Sequence, residues 1–129
     1  MKEKIWYPSL DYIDQKHHDV IEQNPSKYPG VKTSVVLLDE ILREARNTPG
    51  MYKKAAFLLK GIKDKHVFED GNTTTAILLT IDFLEKNDKE FKPEDQKLIA
   101  KVGDNHGAFS REEIARFLET GEIDETKLP

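Results

Sequence analysis

From Ala76 to Leu84 the chain reads Ala-Ile-Leu-Leu-Thr-Ile-Asp-Phe-Leu. Ala76, Leu79, Ile81, Phe83 and Leu84 are apolar almost all the way round a helix. A helix with so little polar face has to be enclosed by other elements. The rest of the chain must therefore wrap it, and this helix is expected at the hub of the fold. Asn87-Asp88 is its expected end.

The remaining pattern supplies the wrapping. Pro8-Ser9 opens a first helix, in which Leu10, Ile13, His17, Val20 and Ile21 share a face. His17 lies on that face and His18 does not, because neighbours on a helix point about 100° apart. That divergence keeps the two imidazoles from sharing a metal. Asn24-Pro25 and Pro29-Gly30 mark a loop, and Thr33 or Ser34 is placed to cap a second helix. Its buried stripe is Val35, Leu38, Ile41, Leu42 and Ala45, and Asn47-Thr48-Pro49-Gly50 is a strong turn signal after it. Ala55, Ala56, Leu58, Leu59 and Ile62 form a third helix with small residues suited to close packing. Beyond the central helix, Pro93 fits the first turn of the next, which turns Leu98, Ile99 and Val102 inward. Gly103 to Gly107 reads as a loop. Ser110-Arg111-Glu112-Glu113 is a capping box before Ile114, Phe117 and Leu118. Gly121 stops that helix, and Glu122 to Pro129 reads as a polar, frayed tail. No strand pattern or internal repeat is present. The expected fold is mainly α, a compact single-domain bundle of about six helices over residues 1–129.

Composition narrows the class. At 129 residues a core forms without staples, and the absence of Cys removes disulfides, thiolate nucleophiles and Cys zinc sites. That absence fits a reducing, cytoplasmic setting. The residues from Met1 to Trp6 lack a signal-peptide core, and no apolar run is long enough to cross a membrane. A net charge of −4 argues against a broad nucleic-acid surface.

Chemistry concentrates just before the central helix, in His66-Val67-Phe68-Glu69-Asp70-Gly71-Asn72-Thr73-Thr74-Thr75-Ala76. An imidazole stands four residues before a carboxylate, and a Gly-Asn pair leads into the helix. Helix N-termini attract anions, because their first N–H groups lack intrahelical partners and the macrodipole is positive there. Gly71 lets the chain turn sharply and a phosphate come close to the backbone. Physically this is a loop that can hold a phosphate beside a histidine. Lys60, Lys63 and Lys65 put positive charge just before it; solvation accounts for at least two of them, and one is placed to steer phosphates. A calcium loop starting at Asp70 fails, since its twelfth position is Ile81. His66 and His106 have no metal-ligand spacing, and a helix-turn-helix over Gln96 to Leu118 fits poorly with the acidic balance and the intervening loop.

The stretch resembles the Fic/Doc signature, His-x-Phe-x-Asp/Glu-Gly/Ala-Asn-Gly/Lys-Arg. His66, Phe68, Asp70, Gly71 and Asn72 match it in spacing, and helices flank it on both sides. The helix order from Leu10 to Leu118 is similar to that of the short, single-domain Doc (death-on-curing) branch. The departures are Thr73, where the family has Gly or Lys, and Thr74, where it has Arg. A further Arg, frequent in Fic enzymes, is Ile77 here.

The resemblance implies transfer of AMP or of a γ-phosphate from ATP, with Mg²⁺, to a hydroxyl of a target protein. It implies His66 as the base, Asp70 as the metal ligand, and Gly71, Asn72, Thr73 and Thr74 along the phosphates. It also implies a flap at Arg46 to Tyr52 that pairs with the target, where the residues alone read as a plain turn. The family's self-inhibitory Ser/Thr-x-x-x-Glu-Gly/Asn helix has no match, so inhibition would come from a separate small antitoxin of a toxin–antitoxin pair. An Arg fork grips two phosphate oxygens and a threonine offers one neutral hydroxyl, so Thr74 points to a weak or altered transferase. The alternative is a catalytically inactive protein-binding module on the same fold.

Overall fold

The computed structural model describes residues 4–23, 35–65 and 71–129. Within them the chain forms six α-helices and no strand: α1 (Leu10–Gln23), α2 (Val35–Asn47), α3 (Met51–Asp64), α4 (Asn72–Lys86), α5 (Gln96–Asp104) and α6 (Arg111–Thr120). Short 3₁₀ turns at His106–Ala108 and Glu125–Lys127 complete the order.

The boundaries follow from local chemistry. The Ser9 hydroxyl accepts from the Tyr12 N–H at 3.1 Å and starts α1. His17 is buried and His18 exposed, as their positions on the helix require. Asp95 caps α5 by accepting from the N–H groups of Lys97 and Leu98. Ser110 and Glu113 close a reciprocal capping box on α6, and Gly121 ends that helix at φ 81°. The caps expected at Thr33 or Ser34, and the loop around Pro25 to Gly30, lie outside the described residues.

Between α2 and α3 only Thr48, Pro49 and Gly50 intervene. Gly50 sits at φ 91° as the residue before α3, and its carbonyl accepts from Lys54 N–H at 2.9 Å. The segment is the tight turn that the residues read, and three residues leave no length for an extended flap.

The hub differs from expectation. α3, not α4, touches the most elements: it packs against α2, α4, α5 and α6, while α4 packs against α1, α3 and α5. The reason lies in side-chain size. Ala55 and Ala56 are fully buried, and a Cβ on Gly61 would come within 3.1 Å of the Ile41 side chain on α2. Small residues let neighbouring helices close on α3 from several sides. On α4, Ala76, Leu79, Phe83 and Leu84 are buried with Thr75 and Thr80, but Ile77, Leu78 and Ile81 are only half-buried. They line a groove of about 500 Å³ with Phe91, Pro93 and Ile99, because nine-residue α5 is too short to cover that face.

Polar contacts tie the bundle at its seams. Lys54 is buried on α3 and donates to the carbonyls of Ala45 and Arg46 at 3.0 Å each, closing the C-terminus of α2 where the dipole favours a cation. Tyr12 donates to Asp82 at 2.6 Å, and Lys16 pairs with the same carboxylate at 2.9 Å, joining α1 to α4. Asn87 exchanges hydrogen bonds with the backbone of Trp6.

Four other boundaries move. Asn72 belongs to α4 rather than to the loop before it. Pro93 precedes the Asp95 cap instead of occupying the first turn of α5. Gly103 lies inside α5, pressed against α4, and is not part of a loop. The C-terminal segment is not frayed: Ile123 and Leu128 pack on the core, and Lys127 pairs with Glu113 at 2.7 Å.

Candidate functional site

Gly71 sets the geometry at the start of α4. Its backbone is left-handed, at φ 77° and ψ 13°. A Cβ there would lie 3.3 Å from Val20 Cγ1 and 3.4 Å from Ile21 Cδ1, both on α1. Conformation and crowding together demand glycine, so α1 is clamped over the turn that leads into α4.

Among the described residues no side chain caps α4. Its first turn carries no acidic residue, and Thr75 N–H is the first to return to the helix, at 2.9 Å from the Gly71 carbonyl. The N–H groups of Thr73 and Thr74 find no acceptor among the described residues. α5 and α6 have their open donors met by Asp95 and Ser110. At α4 the same donors meet no acceptor among the described residues, and a helix start with such N–H groups and no acidic residue in its own first turn suits an anion.

The three threonines that follow have different surroundings. Thr73 Oγ1 accepts from Lys63 Nζ at 2.5 Å and donates to Asp104 Oδ1 at 2.8 Å. It therefore faces α3 and α5, and its methyl sits where a Cβ on Gly103 would approach to 2.9 Å. Thr74 is exposed. Thr75 is fully buried, and its hydroxyl has no hydrogen-bond partner among the described residues. Asn72 is buried beside them. The structure thus brings Gly71, Asn72, Thr73 and Thr74 together at one helix start, but Thr73 offers its N–H there while its hydroxyl is already engaged. His66, Phe68 and Asp70 lie outside the described residues.

The lysines before the motif separate in the same way. Lys60 donates to the carbonyls of His106 and Phe109 at 2.7 and 2.8 Å, which is structural work at the α5–α6 connection. Lys65 lies 3.8 Å from Glu40 near the surface. Lys63 is half-buried and reaches α4. The sequence flagged all three as one charged run; no periodicity distinguishes them, and only the packing of α3 on α4 and α5 does. Asp104 gave no signal at all, since its segment read as a loop. His106 Nδ1 lies 3.4 Å from Asp64, away from any metal-binding arrangement with the described residues.

The described residues form a helical domain in which a left-handed glycine enters the helix that follows the His66 to Asp70 stretch in sequence. The model of the Fic/DOC family matches residues 8–84, from the start of α1 to the last core residue of α4. The chain belongs to the Fic/Doc family. No curated protein matches the chain.

Proposed function

We propose that this protein is a Fic/Doc-type transferase that moves AMP or phosphate from ATP to a side-chain hydroxyl of a target protein. The observation that carries the reading is the family match across residues 8–84, together with Thr73 and Thr74 N–H groups that have no acceptor among the described residues at the helix start it contains. In this reading the His66 imidazole removes the proton of the acceptor hydroxyl, the general-base role that histidine side chains commonly fill. The hydroxyl oxygen then bonds to phosphorus. Either the α–β bridge bond breaks and pyrophosphate leaves, or the β–γ bridge bond breaks and ADP leaves. The start of α4 holds the neighbouring phosphate through N–H groups along Gly71 to Thr74, with Asn72 beside them. Asp70 is the ligand for Mg²⁺, which neutralises phosphate charge when bound. The donor chemistry at α4 fits a nucleotide phosphate: N–H groups without an acceptor among the described residues, a nearby ammonium, and no acidic residue in the helix's own first turn, the Asp104 carboxylate being held at the Thr73 hydroxyl. A small antitoxin protein as a regulatory partner belongs to the same reading.

The test is incubation with ATP labelled separately at the α and γ positions, Mg²⁺ and a cell lysate. Label should enter a protein band and disappear with His66→Ala, and the labelled position tells which group moves. No incorporation from either position, where an intact family member labels its target, leaves the inactive binding module as the better description. The neutral, exposed Thr74 is the observation that favours that second reading.

A further inference from the structure

Lys63 is a half-buried cation with few partners among the described residues. There its one hydrogen bond is to the Thr73 hydroxyl, at 2.5 Å, although an ammonium has three donors. Among the described residues no carboxylate lies within ion-pair distance of its Nζ. Other lysines of the fold are better supplied: Lys54 and Lys60 each hold two carbonyls, and Lys16 and Lys127 each have a direct carboxylate. The nearest anion in Lys63's network is Asp104, which it meets only through the shared Thr73 hydroxyl.

The position is also electrostatically odd. Thr73 is the second residue of α4, so the ammonium stands beside the positive end of a helix dipole. A cation there is disfavoured by the helix, and among the described residues Asp104 offsets it only through the shared Thr73 hydroxyl. A second anion, bound by the Thr73 and Thr74 N–H groups that have no acceptor among the described residues, would meet the ammonium directly. Hydroxyl and N–H of Thr73 belong to one residue, so a phosphate on that N–H is within reach of a flexible lysine chain held at that hydroxyl.

We infer that Lys63, from α3, supplies the phosphate-binding cation that Thr74 does not, with Asp104 and Thr73 holding it in readiness. This rests on the transferase reading and adds a specificity-determining residue to it. The family's clamp extends from α4 itself; here the charge arrives from the neighbouring helix. Phosphate displaces Thr73 as the main acceptor for Lys63, and Asp104 competes with phosphate for the same cation.

The test is calorimetric binding of MgATP, pyrophosphate and adenosine to the full chain and to Lys63→Gln, Lys63→Arg and Asp104→Asn, each checked by thermal melting. Lys63→Gln should weaken MgATP and pyrophosphate by about tenfold to a hundredfold and leave adenosine unchanged. Lys63→Arg should retain most of the affinity, Asp104→Asn should raise it severalfold, and the wild-type affinity should fall with salt more steeply than that of Lys63→Gln. Unchanged MgATP and pyrophosphate affinity in folded Lys63→Gln overturns the inference and leaves the transferase reading standing. Equal loss for adenosine overturns it too, by reducing Lys63 to a structural role. A wild-type chain that binds neither MgATP nor pyrophosphate overturns both.

Discussion

Thr73 and Thr74 are adjacent threonines with opposite prospects. Thr73 is held from two sides, by Lys63 and Asp104, whereas Thr74 is exposed and its side chain bonds to nothing among the described residues. A larger side chain at position 74 meets solvent and leaves the core unchanged. Thr74→Arg should therefore fold normally and raise MgATP affinity, since a charge-assisted hydrogen bond contributes about 1.5–3 kcal/mol, or one to two decades. It should also restore the affinity lost in Lys63→Gln. Calorimetry on the single and double variants checks both outcomes; equal affinity in well-folded parent and Thr74→Arg would show that a missing arginine does not limit this site.

At the scale of elements, α4 and α5 meet through a glycine. A Cβ on Gly103 would lie 2.9 Å from Thr73 Cγ2 and 3.2 Å from Ile77 Cδ1. Alanine is the better helix former by about 1 kcal/mol, but crowding of this kind costs about 1–3 kcal/mol, and Thr73 is too well anchored to yield. Gly103→Ala should therefore be destabilising overall. In a Thr73→Ser background the offending methyl is gone and the hydroxyl remains, so the same substitution should cost less. Urea denaturation of the four proteins measures the coupling directly; additive effects would mean that Ile77 and not Thr73 bears the strain. This contact was invisible in the sequence, where Gly103 looked like the start of a loop, because nothing in the spacing says which residue of a distant helix will lie opposite.

Across the whole molecule, the first and fourth helices are joined by Tyr12 and Asp82, and that seam carries a pH signature. Burial, the hydrogen bond to Asp82 and the charge of Asp82 push the Tyr12 hydroxyl up to about 12 from its ordinary 10.0. Below pH 10 both folded and unfolded chains keep the proton. Between 10 and 12 the unfolded chain releases it while the fold retains it, so this contribution to stability is full below 10 and is lost as pH rises through about 12. The stability difference between wild type and Tyr12→Phe should shrink over that window, as read by urea denaturation at a series of pH values; a constant difference would show that the bond to Asp82 does not hold the proton. The sequence by itself determined the helical class, the turn at Thr48 to Gly50, the Ser110 capping box and the family, because each is written in local spacing and local hydrogen-bond chemistry. It also placed Thr74 in the first turn of a helix, while leaving Asn72 in the loop before it. What only the tertiary structure decided is which helix lies at the centre and which lysine reaches α4. Small residues on α3 admit neighbours more closely than the large apolar ones on α4, and a charged side chain gains its role from whatever packing brings opposite it.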